Sequence, residues 1–112
     1  MTTAELPAEL IYSELGSDPA FGPIVSMYVD EMPGRVEDLL LTHAAGDVKE
    51  LQRKAHQLKG SSGSYGFREV TPQAAALEDA LKSDAPLGDV ESALEELVAV
   101  CQRVRAGSPP SN

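Results

Sequence analysis

From Phe21 to Val104 the apolar residues of this chain recur at intervals of three and four, and no stretch alternates apolar and polar with a period of two. A helix gathers residues three and four apart onto one face, whereas a strand gathers every second residue. The chain is thereby restricted to amphipathic helices that bury their apolar stripes against one another. Leu6 to Leu15 carries Leu6, Leu10, Ile11 and Leu15 at helical spacing and is followed by Gly16, placed as a C-terminal glycine. A long segment from about Pro19 to Ala45 sets Phe21, Ile24, Val25, Tyr28, Val29, Met32, Val36, Leu39, Leu40 and His43 on one broad face, with a kink or break expected at Pro33. Asp47 is a good N-cap for a third helix from Val48 to about Tyr65, and Gly66 to Glu69 is expected as a turn. Thr71 and Pro72 predict an N-cap and first position for a fourth helix, which runs to about Ser83 and buries Ala76, Leu77, Ala80 and Leu81. A fifth, from Asp89 to Arg105, sets Val90, Ala93, Leu94, Leu97, Val98, Cys101 and Val104 inward.

The connections are short, so sequential helices are expected to be antiparallel neighbours. The fold class is all-α, an antiparallel up-and-down four-helix bundle with an additional short N-terminal helix. With 112 residues the chain makes one domain, expected over residues 1–106 with its core about 20–105 and a disordered tail at 107–112. No apolar run approaches the roughly 20 residues needed to span a bilayer, and MTTAELPAEL has neither the basic start nor the apolar core of a signal peptide. The cytoplasm is the expected location. Cys101 is the single cysteine, so no internal disulfide forms, and with two histidines it falls short of the usual four-ligand zinc sets. A net charge of −9 repels nucleic acid and anionic lipid and leaves a protein as the expected partner.

The third helix carries the anomaly. Gly60, Gly63 and Gly66 fall within Ala55 to Phe67, AHQLKGSSGSYGF, and a glycine inside a helix costs roughly 1 kcal/mol against alanine. At about 100° per residue, Val48, Leu51, Ala55, Leu58 and Tyr65 share one sector, and His56 falls about 140° from its centre, towards solvent. The neighbours of His56 on the helix surface are Gln52, Arg53, Lys59, Gly60 and Gly63. Two of these have no side chain, which uncovers the ring, and two are cations in an acidic protein. Two explanations are open on geometry: the glycines serve tight helix packing or an early helix end near Ser61, or they clear access to a reactive or phosphorylated His56. A phosphate-binding loop needs its lysine after the last glycine, whereas Lys59 precedes the first, and no strand precedes the glycines as dinucleotide binding requires.

AHQLKGSSGSYGF resembles the signature of histidine-containing phosphotransfer (HPt) domains, A-H-x-L-K-G-S-S-x-x-x-G. The likeness extends to an A-x-G-D element at Ala44 to Asp47 and an A-x-L-E element ending at Leu77 and Glu78, and covers roughly residues 20–100. The resemblance implies His56 as phosphoacceptor, Lys59 as the cation that neutralises its phosphoryl group and Gly60 as the small residue giving access. It also implies Glu78 as an acceptor for the ring nitrogen that is not phosphorylated. Pro72 and the run Ala74, Ala75, Ala76 depart from the family pattern, which bears on the distance of Glu78 from His56. The family's members receive a phosphoryl group from a receiver-domain aspartyl phosphate and pass it to another receiver. They act as phosphocarriers without kinase activity of their own, and the magnesium ion belongs to the receiver.

The expected docking surface runs along the third helix from Gln52 and Arg53 to Gly63 and Ser64, with one face of the second helix beside it. His43 lacks glycine and lysine neighbours and is expected to be a structural or surface residue, and Cys101 a buried, inert thiol. A stand-alone shuttle is expected from the Met1 start and polar tail, and the resemblance implies a monomer. The competing function is a non-catalytic helical adaptor that binds a signalling partner. A bundle-core metal enzyme lacks its Glu-x-x-His elements.

Overall fold

A computed structural model of the protein describes residues 9–109. The described residues form four helices: α1 (Gly22–Ala44), α2 (Val48–Ser64), α3 (Val70–Lys82) and α4 (Leu87–Cys101). Two short strands, β1 (Ile11–Tyr12) and β2 (Val104–Arg105), pair in parallel, Ile11 opposite Val104. Each helix packs on the next and α1 also meets α4, which closes the bundle. Cross-helix pairs give the directions. Tyr28 of α1 reaches Ser61 of α2 at 2.7 Å while Asp38 pairs with Lys54, so α1 and α2 run antiparallel. Ser62 meets Thr71 and His56 meets Glu78, so α2 and α3 do too. No helix among the described residues is long and apolar enough to cross a membrane.

The core is a continuous cluster that includes Val25, Tyr28, Met32, Leu51, Ala55, Leu58, Phe67, Leu77, Leu94 and Leu97. Tyr28 stacks on Tyr65 at 4.4 Å between ring centroids and on Phe67 at 6.0 Å, tying the first third of α1 to the end of the histidine-bearing helix. Asp47 caps α2 as expected, accepting from the Glu50 N–H at 3.1 Å. Gly66 ends that helix at φ +83°, a conformation that favours glycine, and an added Cβ would stand 2.5 Å from Ser13 Oγ.

The expected N-terminal helix is absent from the described part of its span: from Glu9 onward the chain is extended and then turns. Leu6, Pro7 and Ala8 lie outside the described residues. A segment this short gains little from its own helical hydrogen bonds, and distant partners supply better ones. Ile11 N–H donates to Arg103 O at 2.8 Å, Ser13 Oγ to Tyr65 O at 2.6 Å and Glu14 N–H to Gly66 O at 3.2 Å. Ile11 is buried and Leu15 packs on the core, so the apolar positions are used by an extended strap. Gly16 caps no helix; its Cα hydrogen faces the Gly107 carbonyl, where an added Cβ would come within 2.0 Å. Residues 110–112 of the expected tail lie outside the described residues.

Other expectations are corrected in detail. Pro33 does not break α1; burial of Tyr28, Met32 and Val36 on either side of it offsets the lost backbone bond. Phe21, Ile24, Leu40 and Val48 are exposed, so the buried stripes are narrower than expected. α3 begins at Val70, whose N–H donates to Phe67 O, and the Thr71 hydroxyl meets Ser62 instead of capping. Ala76 is exposed while Ala74 and Glu78 face inward. α4 stops at Cys101 because Arg103 to Arg105 turn to meet β1.

Candidate functional site

The Asp47 cap fixes the start of α2, and burial of Leu51, Ala55 and Leu58 fixes its rotation. His56 is left on the outer face with a side chain 65% exposed. Its Nδ1 lies 2.9 Å from Oε2 of Glu78 on α3, a residue only 2% exposed. Two ammonium groups meet the same carboxylate: Lys59 Nζ at 2.7 Å from Oε1 and Lys82 Nζ at 3.0 Å from Oε2. Lys59, then Lys82, hold the Glu78 carboxyl down to about 2, against the opposing effect of burial, with the His56 contact adding to them. Glu78 is therefore an anion at neutral pH and can only accept. Nδ1 of His56 accordingly carries the proton and donates it. In a neutral ring the lone pair then sits on Nε2, for which no partner exists among the described residues.

The glycines separate by environment. Among the described residues a Cβ added to Gly60 would meet no neighbouring atom within 4 Å, so none of their contacts calls for glycine there. Gly63 faces the seam with α3, its added Cβ 3.6 Å from Thr71 Oγ1, an ordinary contact. Neither position is one of tight helix packing, and α2 continues past Ser61 to Ser64. Gln52 is half-buried, and Arg53 and Ser64 are exposed. The Arg53 guanidinium is taken by Glu50, to which Nε donates at 2.9 Å and Nη2 makes a second contact, so it is not a free cation beside His56.

Lys82 was not singled out from the sequence. Its only signal is position, one turn beyond Glu78 on the same helix face. His43 stands apart from this cluster: its Nε2 is 3.6 Å from Glu91 Oε2, and it lines a groove of about 240 Å³ with Val48, Leu51, Leu81 and Val90. Cys101 is buried, and burial pushes its thiol up to about 12, which keeps it protonated.

The model of the family described as Hpt domain matches residues 23–107. The chain belongs to the Hpt domain family. No curated protein and no solved structure matched it. The match spans the four helices and β2 and contains His56, Lys59, Glu78 and Lys82. Hpt domains are phosphocarriers in phosphorelays and work with receiver domains of two-component systems.

Proposed function

We propose that His56 accepts a phosphoryl group on Nε2 from the aspartyl phosphate of a receiver domain and passes it to another receiver. The observation that carries this reading is the pairing of an exposed ring, held at Nδ1 by Glu78, with Gly60, a glycine that no contact among the described residues requires. The neutral ring attacks phosphorus through the Nε2 lone pair. A nitrogen–phosphorus bond forms, the phosphorus–oxygen bond of the aspartyl phosphate breaks, and the aspartate leaves as a carboxylate. Nδ1 keeps its proton throughout, so the ring becomes a cation facing the Glu78 anion. On return, the same proton lets the ring leave as neutral imidazole. Such transfer depends chiefly on positioning and charge neutralisation. Lys59 is the cation for the phosphoryl oxygens; it stands one helical turn from His56 on the same face of α2.

The receiver brings the aspartyl phosphate and a magnesium ion; this chain brings no cofactor of its own and acts as a cytoplasmic monomer. Its docking surface is the exposed face of α2 from Gln52 and Arg53 to Gly63 and Ser64. The exposed Ile24 and Met27 continue it on α1, beside Tyr28, whose hydroxyl meets Ser61 of α2. The test is incubation with a phosphorylated receiver domain. Acid-labile, base-stable label on this chain, lost in His56→Gln, is expected. An adaptor with no transfer role would take no label from any receiver of its own cell, and its cellular activity would survive His56→Gln.

A further inference from the structure

Glu78 is buried, and its two oxygens meet three donors. Lys59 Nζ is on Oε1, whereas His56 Nδ1 and Lys82 Nζ share Oε2. Lys59 and His56 come from α2, and Lys82 stands one turn along α3 from Glu78 itself. No other charged side chain is within ion-pair distance of Glu78 among the described residues.

Lys59 has two anions to serve. In the unphosphorylated chain its ammonium is on Glu78, and a phosphoryl group on Nε2 adds about two negative charges next to it. As Lys59 turns to those oxygens, Oε1 loses its cation. A buried carboxylate left with the exposed ring as its single cationic partner more readily takes up a proton or swings towards water, and either change ends its acceptance from Nδ1. Lys82 does not face that competition in the same way, because it binds Oε2, the oxygen that already accepts from the ring.

We propose that Lys82 is a positioning residue for the transfer, holding Glu78 ionised and aimed at Nδ1 of His56 while Lys59 is engaged by the phosphoryl group; this rests on His56 being the phosphoacceptor. The two lysines thus divide the work. Lys59 moves between the carboxylate and the phosphoryl group, and Lys82 stays. The ring cation created by transfer then keeps its anion in place, so that the group can be given up as readily as it was taken.

The test compares the full chain with Lys82→Met and Lys82→Arg, using a phosphorylated receiver domain as donor and ¹⁵N NMR of the His56 ring. Before phosphorylation, Lys82→Met keeps the proton on Nδ1, because Lys59 still holds Glu78. Its transfer slows about tenfold, the loss of one charge-assisted contact, in both directions. Lys82→Arg restores the rate to within about twofold, since a cation at the same place serves. Should Lys82→Met fold poorly, Lys82→Gln, one atom shorter and uncharged, repeats the measurement. Transfer by Lys82→Met at the parent's rate, or a loss that Lys82→Arg does not restore, overturns the role of Lys82 while leaving His56 as acceptor. A ring already switched to Nε2–H in unphosphorylated Lys82→Met overturns the hand-over between the two lysines. A parent chain that takes no label from phosphorylated receivers overturns the phosphotransfer reading and this proposal together.

Discussion

Nδ1 of His56 lies 2.9 Å from Oε2 of Glu78, so an exposed imidazole on one helix is held by a buried carboxylate on the next. The contact decides which ring nitrogen is free. It also links stability to reactivity, because the ion pairs that make Glu78 tolerable in the bundle keep it an acceptor.

The ring tautomer tests the contact directly. In the parent chain at a pH where the ring is neutral, ¹⁵N shifts are expected to show a protonated Nδ1 and a bare Nε2. Glu78→Ala removes the acceptor, and the proton is expected to redistribute towards Nε2, the nitrogen that must attack. Phosphoryl transfer should fall by about ten- to a hundredfold, since a misoriented or protonated nucleophile contributes little. An unchanged tautomer in Glu78→Ala would remove Glu78 from the account.

Glu78 also predicts an acid limb of stability. Its folded pKa lies below the ordinary carboxyl value of 4.5, at about 2, so the unfolded chain binds the proton more readily. The stabilisation is therefore complete above about 4.5 and is lost as pH falls towards about 2. Urea midpoints measured across that window should decline in the parent and decline less steeply in Glu78→Gln. Parallel slopes would show that the carboxylate is not held by Lys59 and Lys82.

Gly60 separates folding from function. Nothing stands within 4 Å of an added Cβ, so Gly60→Ala is expected to stabilise the helix by up to about 1 kcal/mol and to raise the melting midpoint. Gly60→Gln should still fold but slow transfer from the receiver by more than about tenfold, because its side chain covers the approach to the ring. Gly66→Ala is the contrast: φ is +83° and Ser13 Oγ would be 2.5 Å away, so a loss of about 1–3 kcal/mol is expected without a specific effect on the ring. A destabilised Gly60→Ala would mean that the glycine serves packing after all.

Lys59→Ala should fold with a melting midpoint within about 4 °C of the parent, since the lost ion pair is partly exposed and Lys82 remains on Glu78. Its phosphohistidine is expected to be shorter-lived or its transfer about tenfold slower. Equal transfer and equal phosphohistidine lifetime would deny Lys59 its role.

The exposure of His56 was legible because α2 keeps a strict helical period and angular position follows from arithmetic alone. The Asp47 cap and the Gly66 stop were legible for the same local reasons. Glu78 entered through a motif, and the sequence carried no measure of its distance from His56. Lys82 needed the pairing of α2 with α3 before its position next to the shared carboxylate meant anything. The N-terminal strap was misjudged because Leu10, Ile11 and Leu15 fit a helix by spacing. What decides against it is bonding of Ile11 to Arg103 and of Ser13 to Tyr65, partners too distant in the chain for local pattern to show. Thr71 and Pro72 have the chemistry of a helix start, yet the buried Phe67 offers its carbonyl to Val70 and draws the helix back. The run Ala74, Ala75, Ala76 carries no periodicity of its own, so spacing chose Ala76 for the core where packing buries Ala74.

Nε2 of His56 is proposed as the atom that carries the phosphoryl group. The most direct test is to phosphorylate the chain from a receiver domain with ¹⁵N-labelled histidine and to measure ³¹P–¹⁵N coupling in the ring. One phosphorylated residue is expected, His56, with phosphorus coupled directly to Nε2 and a proton retained on Nδ1. Phosphorus on Nδ1, or on His43 in place of His56, would contradict it.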